Sequence, residues 1–336
     1  MKKCPALSCS IFLFALLVFT SAEAQDELRI VTWNIEHLGS PGRGFGGLGA
    51  GNLPKRTSEQ LKEIARFIKD NLRADLVAVQ EVAVTNVTDT QNESAALQVI
   101  TEELGDDWHS VVASPRNTII NPEDVHNLQN AFVWNTRRVR LVRSFELIFA
   151  NERVGKKRLF DRFPLIGYFQ VLKDGNDTND FLLINVHLTA GQDNDENHLA
   201  AMVIIQQNLK EELQAHGIRE SDRIILGDFN DNPFAQDDQG NPRFSDLLYR
   251  YMSKKGYTDL VNANTGPTRM DINLSRIIDH VLVNRCAQAH LVEVSIMKFQ
   301  PADSTNSGLT TWRRTFSDHF PLILRLKVEN HDDDVD

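Results

Sequence analysis

Several apolar segments of this chain stop abruptly at a carboxylate, an amide or an imidazole. In Ile224-Ile225-Leu226-Gly227-Asp228-Phe229-Asn230-Asp231, an apolar run is followed by Gly, Asp and Asn, which reads as a buried strand ending in a tight turn. Such a turn projects Asp228 and Asn230 from the end of a sheet, where sites tend to be built. The segment 28–33 ends in Asn34-Ile35-Glu36-His37, 75–80 ends at Glu81, and 181–186 ends at His187. Asp279 places a charge inside the apolar run 277–283 and therefore needs a partner. One such ending is an ordinary turn, because Asp, Asn and Gly favour turns for backbone reasons, and a lone His at a strand end is more often structural. Repetition at several ends points to a site. Carboxylates are hard oxygen donors suited to divalent cations, and an imidazole can move a proton near neutral pH.

The elements that would position these groups follow from hydrophobic periodicity. Residues 58–71 repeat apolar side chains at Leu61, Ile64, Ala65 and Ile68, one face of a helix, and a second helix is expected over 95–104. A longer amphipathic helix, 194–216, carries Leu199, Met202, Val203, Leu209 and Leu213 on one side and links His187 to the 224–231 segment. A further helix is expected near 245–255. Short strands around Val111, 132–134, 139–142 and 145–149, then 165–172 and 181–186, are spaced for antiparallel pairing, with 173–180 as a hairpin loop. The last strand covers 322–328 and follows Ser317-Asp318-His319. Residues 39–51 contain seven glycines and one proline and predict an irregular loop.

The chain has 336 residues, 41% of them hydrophobic, enough for a large core in one α/β domain. Residues 1–24 are expected to be a secretory signal peptide: Lys2 and Lys3 precede an apolar run over 11–19, and Ala22-Glu23-Ala24 supplies a cleavage site before Gln25. The run is too short to span a bilayer, so no stable membrane insertion is expected, and the product would be secreted or periplasmic. Cleavage would remove Cys4 and Cys9 and leave Cys286 alone, so no disulfide can form within the mature chain. Cys286 reads as a small core or rim residue. Losing Lys2, Lys3 and Glu23 takes the net charge from −10 to −11, a sign that suits an acidic, cation-dependent pocket better than bulk attraction of polyanions. Two basic runs stand apart, Arg137, Arg138, Arg140 and Arg143, then Lys156, Lys157, Arg158 and Arg162. They are either a solvated strand face or a local phosphate-contacting surface. A domain over 25–330 and an acidic disordered tail over 331–336 complete the reading, with a monomer expected.

Trp33-Asn34, Gln80-Glu81, Asn185-Val186-His187-Leu188, Gly227-Asp228-Phe229-Asn230, Ile278-Asp279-His280 and Ser317-Asp318-His319 occur in this order along nearly the whole mature chain. Together they resemble the endonuclease/exonuclease/phosphatase superfamily, whose members include deoxyribonucleases, abasic-site endonucleases, neutral sphingomyelinases and inositol polyphosphate phosphatases. The resemblance implies an α/β four-layer sandwich, two mostly antiparallel β-sheets flanked by helices, with the site at one end. It implies a hydrolase of phosphoric esters that uses Mg²⁺, Mn²⁺ or Ca²⁺. By the resemblance, Glu81 is the metal ligand with Asn34 and Asp318 beside it. His319 is the base, oriented by Asp279 as in other His–carboxylate pairs. Asp228 and Asn230 position the nucleophile and a phosphate oxygen, and Arg162 contacts a phosphate. His187 either stabilises developing charge or protonates the leaving group. Two departures stand out. His280 replaces an aromatic residue that many relatives carry after the aspartate, and the 39–51 loop is long. A dead binding module on this fold would be expected to lose a catalytic His or Asp, and this chain keeps all of them. Among enzymes, an extracellular nuclease (DNA ahead of RNA) competes with a phospholipid phosphodiesterase and an inositol phosphate phosphatase. The lipid reading wants exposed apolar loops, for which only Phe45 and Leu48 offer themselves.

Overall fold

The computed structural model describes residues 26–43, 52–87, 92–115, 128–148, 153–154, 157–190, 195–234, 247–270, 276–297 and 306–328. The signal segment, the acidic tail, Phe45, Leu48 and Lys156 lie outside the described residues. The strands of the two large sheets are β1 (Glu27–Leu38), β2 (Leu76–Ala83), β3 (Trp108–Val112), β4 (Leu128–Asn135), β5 (Val139–Glu146), β6 (Leu165–Lys173), β7 (Asn176–His187), β8 (Arg223–Asp228), β9 (Tyr257–Asp259), β10 (Asp279–Asn284), β11 (Leu291–Ile296) and β12 (Leu322–Lys327). The helices are α1 (Ser58–Arg66), α2 (Ala95–Leu104), α3 (Asp195–Ala215), α4 (Leu247–Lys254), the short α5 (Arg285–Gln288) and α6 (Asn306–Thr315).

Strand order is β11-β12-β1-β2-β4-β3 in one sheet and β9-β10-β8-β7-β6-β5 in the other. Each sheet is antiparallel except at its centre, where β1 runs parallel to β2 and β7 parallel to β8. Parallel neighbours need a crossover, supplied by α1 in the first case and α3 in the second. The two parallel pairs carry their polar endings, Asn34 and Glu81 from one sheet, His187 and Asp228 from the other.

Burial explains why the strands read as continuous apolar runs. Side chains alternate across a strand, so Leu28, Ile30, Leu76, Ala78, Leu183, Ile224 and Leu226 fill the space between the sheets. Their neighbours Val31, Trp33, Val77 and Val79 face α1 and α2, joined by Leu61, Ile64, Leu97 and Ile100. Leu182, Ile184, Val186 and Ile225 face α3 and α4, joined by Met202, Ile205, Leu209, Leu248 and Met252. The result is four layers, helix, sheet, sheet, helix, with both faces of each central strand covered. Among the described residues no helix is long and apolar enough to cross a membrane.

A polar network crosses the apolar space between the sheets. Asn185 of β7 donates from Nδ2 to the carbonyls of Val79 and Ala131, both at 3.0 Å, and its Oδ1 accepts from Gln80 Nε2 at 2.7 Å. Gln80 Nε2 also faces Thr32 Oγ1 at 3.1 Å. All three side chains are buried.

The structure refines several expectations. The 173–180 loop is a tight turn at Asp174-Gly175 with β7 resuming at Asn176, because Asp174 and Gly175 both adopt positive φ and close the hairpin in two residues. The 139–142 segment and the start of the 145–149 segment belong to one strand, β5, which ends at Glu146; Phe149 lies outside the described residues. Glu81 does not end its strand: it sits within β2 at φ 63° beside a register shift, so a bulge re-aims its side chain. Cys286 is exposed. The first basic run lies where β5 begins, away from the site, and is engaged by the protein itself. Arg137 pairs with Asp107 at 2.7 Å, Arg138 with Asp75 at 3.2 Å, Arg140 with Asp177, and Arg143 with the His216 ring at 3.0 Å.

Gly227 lies next to Asp228 with φ 137°, and a Cβ there would come 1.9 Å from the Val186 carbonyl oxygen. Backbone strain and a main-chain clash should together cost the Gly227→Ala variant about 3 kcal/mol or more. Urea denaturation checks this, and an unshifted midpoint would remove the constraint.

Candidate active site

The cavity at the end of the parallel pairs is lined by Glu81, Arg162, His187, Asp228, Asn230, Asp318 and His319, seven of the nine residues singled out from the sequence. Asn34 and Asp279 stand directly behind them, each hydrogen-bonded to a lining residue.

Asn34 ties the two sheets' carboxylates together. Its Nδ2 donates to Glu81 Oε1 at 3.1 Å and to Asp228 Oδ2 at 3.0 Å, while its Oδ1 accepts from the Glu36 amide at 3.1 Å. The second Glu81 oxygen accepts from the His37 amide at 3.0 Å. Asn34 thus serves here as a bridging donor. The turn after β8 is closed by its own side chains: the Asn230 amide donates to Asp228 Oδ1 at 2.8 Å, and Asn230 Nδ2 donates to the Leu188 carbonyl at 2.9 Å.

His319 and Asp279 form the pair that the sequence called for. Nδ1 of His319 lies 2.8 Å and 3.1 Å from the two Asp279 oxygens, and Nε2 faces Asp228 Oδ2 at 3.7 Å and Asp318 Oδ1 at 3.8 Å. The backbone holds both partners. Thr268 Oγ1 accepts from the amides of Ile278 and Asp279 at 2.9 and 3.0 Å, and Ser317 Oγ accepts from the His319 amide at 3.0 Å while donating to the Asn34 carbonyl at 2.5 Å. Trp33 Nε1 adds a bond to the His319 carbonyl at 3.0 Å.

These neighbours divide the protonation states. Desolvation works against a charged His319, but Asp279, Asp228 and Asp318 outweigh it and push its pKa up to about 10. Burial and the positive neighbours Arg162, His319 and Arg269 hold His187 well below the ordinary histidine range. Burial, with Asp279 adding to it, pushes Asp228 up to about 6 against the pull of His319, Asn34 and Arg269. Desolvation also works against charge on Glu81, yet His37, Arg162 and Asn34 keep its carboxyl below the usual range. Asp318 is likewise held down despite desolvation, by His319, Arg269 and Arg313.

Sequence reasoning missed the cationic wall. Arg269 donates from Nε and Nη2 to Asp318 Oδ2 at 3.1 and 3.0 Å. Arg313, on α6, donates from Nε to the two Glu36 oxygens at 3.2 and 2.9 Å. Behind them the buried Arg56 donates to the carbonyls of Glu36 and Phe316 at 2.6 Å each, tying the end of β1 to the segment before β12. Glu36 and His37 stand in the polar ending of β1 and carried a readable signal. Arg269 follows a polar stretch and Arg313 is one of two adjacent arginines on a helix, so neither had one.

The donor set fits a hard divalent cation. Glu81 is a half-buried carboxylate kept charged against desolvation, and Asp228 and Asp318 face the same cavity, an all-oxygen arrangement of the type Mg²⁺ and Mn²⁺ take. The ligand atoms of Asp228, Asp279 and His319 also lie within 4.8 Å of one another. Both Asp279 oxygens are turned to His319 Nδ1, however, so that group is organised as a proton-handling pair more than as a cage.

The fold has solved counterparts. The human Nocturnin catalytic domain with bound sulfate matches at TM-score 0.55 and 16% identity, covering 90% of this chain and 94% of that one. TDP2 from D. rerio complexed with a single-strand DNA product matches at TM-score 0.55 and 13% identity, covering 90% and 99%. The mannosyl-6-phosphatase Bt3783 of Bacteroides thetaiotaomicron matches at TM-score 0.54 and 15% identity, covering 88% and 98%. No curated protein matches the sequence significantly. The model of the Endonuclease/Exonuclease/phosphatase family matches residues 31–319, a span that begins in β1 and ends at His319 and so contains the strand endings that build the cavity. The chain belongs to the endonuclease/exonuclease/phosphatase family.

Proposed function

We propose that this protein is an exported, divalent-cation-dependent phosphodiesterase that hydrolyses nucleic acid, DNA ahead of RNA. The observation that carries the reading is the convergence in one cavity of Glu81, the His319–Asp279 pair, His187 and Asp228 with Arg162, whose Nε is buried without a hydrogen-bond partner. A diester resists attack because its oxygens repel nucleophiles, so catalysis needs charge neutralised, water deprotonated and the leaving alkoxide stabilised. Glu81, with Asp318 facing the same cavity, would hold the cation, which would supply Lewis-acid polarisation of a phosphoryl oxygen. Asn34, expected beside the metal, instead donates to the Glu81 and Asp228 carboxylates. Asp228 is the better-placed proton acceptor, since burial has raised its carboxyl toward neutrality and Asn34 and Asn230 fix both its oxygens. His319 holds its proton, kept charged by Asp279, and donates from Nε2 toward the developing oxyanion or the leaving group. On this reading Asp228 takes the base role that the family resemblance assigns to His319. His187 stays neutral and donates a hydrogen bond to a phosphoryl oxygen, which favours the charge-stabilising option for that residue.

One observation favours a phosphomonoesterase instead: three guanidiniums, Arg162, Arg269 and Arg313, line the cavity. Two of them are engaged by Asp318 and Glu36, which leaves Arg162 as the arginine poised for a phosphate. Arg162→Ala should lose one charge-assisted hydrogen bond, about 1.5–3 kcal/mol, and lower kcat/KM about tenfold to a hundredfold, mainly through KM. An unchanged KM would take Arg162 out of the site.

Export is supported by the charged start, the apolar run and Ala22-Glu23-Ala24. N-terminal sequencing of the exported protein should find a start at or near Gln25, and an intact Met1 would refute it. The substrate reading is tested by incubating the mature protein and Mg²⁺ or Mn²⁺ with plasmid DNA, RNA, sphingomyelin, inositol phosphates and sugar phosphates. Cleavage of DNA supports the proposal. Turnover of sphingomyelin or of monoesters alone overturns it.

A further inference from the structure

His280 follows Asp279 on β10 and points to the opposite face of that strand, away from the cavity. It is fully buried, and both ring nitrogens meet acceptors. Nδ1 lies 2.9 Å from Asp259 Oδ2 on β9, and Nε2 lies 3.1 Å from the backbone carbonyl oxygen of Asp231 in the turn after β8. Neither a carboxylate nor a carbonyl can donate, so the ring must donate from both sides. Phe229 packs edge-on at 5.5 Å between ring centroids, and Tyr249 of α4 lies at 5.0 Å, which closes the cage.

The turn that His280 grips carries Asp228 and Asn230. That turn leaves the common backbone regions, at Gly227 with φ 137°, open to glycine, and at Asn230 with φ 50°, where a side-chain-bearing residue meets a backbone cost. On its β7 side it is fastened by Asn230 Nδ2 to the Leu188 carbonyl, and on its β10 side by the Phe229 amide to the Ile278 carbonyl at 2.8 Å. Beyond Asn230, the His280 bond holds the backbone of the turn at the Asp231 carbonyl, while the Asp231 carboxylate lies 3.9 Å from His198 Nδ1. A turn in an unfavourable conformation keeps its shape only where the surroundings over-determine it.

We propose that His280 is a positioning residue, whose Nε2–H bond to the Asp231 carbonyl sets the placement of Asp228 and Asn230, while Asp259 serves to orient the ring. The proposal rests on the phosphoesterase reading for its kinetic consequence only. Two substitutions separate the halves of the bridge. In His280→Gln the amide nitrogen reaches the position of Nε2 and keeps a donor for Asp231; in His280→Asn the side chain reaches only the position of Nδ1 and serves Asp259. Both lose the ring contacts with Phe229 and Tyr249, so a merely structural role would affect them alike.

With DNA, or whichever phosphoester the wild type hydrolyses, His280→Gln should keep kcat within about threefold, whereas His280→Asn should lose at least about tenfold in kcat with KM little changed, as expected for slight misplacement of reacting groups. Hydrogen exchange of the 229–234 amides, which needs no substrate, should quicken in His280→Asn and not in His280→Gln. Asp259→Asn, which keeps an acceptor oxygen, should hold kcat within about threefold and covers the case in which the His280 variants fold poorly. Equal kcat and equal exchange in the Gln and Asn variants, or a loss in Asp259→Asn as large as that in His280→Asn, would overturn the proposal. A wild type inactive on every phosphoester would defeat the functional reading, and the exchange pattern would still decide this one.

Discussion

Chelation should abolish turnover, and Mg²⁺ or Mn²⁺ should restore it. Glu81→Gln should raise the cation concentration needed for half-maximal rate by at least about a hundredfold, because it removes a charged oxygen ligand and not a neighbour of one. The expectation is specific to Glu81. Glu36 is bound by Arg313 and Asp318 by Arg269, whereas Glu81 has only neutral donors, the Asn34 amide and the His37 backbone N–H, on its oxygens. Its position in a bulge at positive φ aims it into the cavity at a cost in backbone energy that a structural glutamate would not require. Calorimetric Mn²⁺ binding should weaken in the same variant with no substrate present. Full activity in excess chelator would refute the mechanism.

His319→Ala and Asp279→Asn should each lower kcat by at least about a hundredfold, and the double variant should lose little more than the worse single. Residues acting as one unit are not additive, and these two share a bidentate contact at 2.8 and 3.1 Å deep in the protein. Without Asp279 the His319 ring loses the neighbour that contributes most to keeping it charged, and it loses its orientation as well. Additive losses would mean that the two act separately. A near-normal rate in either single variant would remove that residue from the site.

Much of this site was legible because the sequence changes character sharply where β1, β7 and β8 end. An apolar run that stops at Asn34, His187 or Asp228 marks a buried strand and the polar groups it delivers, although β1 itself continues to Leu38 and all three side chains are buried against partners and not turned to water. The layering came from the family resemblance, and the pattern only agrees with it: strands covered on both faces have no polar alternation, and α1 carries a clear apolar stripe. On α3, Met202, Leu209 and Leu213 are buried as expected, but Leu199 and Val203 are half-exposed and Ala201 and Ile205 take their place. Arg269 and Arg313 were hidden because nothing local distinguishes an arginine that reaches into a cavity from one that stays in water. The Arg137–Arg143 cluster shows the converse. Its density left open a phosphate surface beside a solvated strand face, and the side chains are drawn to Asp107, Asp75, Asp177 and His216, partners far away in sequence. Glu81 was found, but its bulge was not, because a register shift depends on the neighbouring β4.

The amide network between the sheets has a consequence for how the two halves are registered. Apolar side chains attract without direction, so a greasy interface alone would let one sheet slide over the other with little penalty. A slip of one residue is about 3.3 Å. That distance would carry Glu81 and Asn34 away from His187 and Asp228, since each pair rides on a different sheet. The Asn185 side chain spans the gap with three bonds to Gln80, Val79 and Ala131, and a buried amide left unmatched is expensive. Asn185 immediately precedes Val186-His187, and Gln80 immediately precedes Glu81. The pin that fixes the sliding coordinate therefore sits one or two residues beneath the reacting groups, where any play in it would be felt soonest.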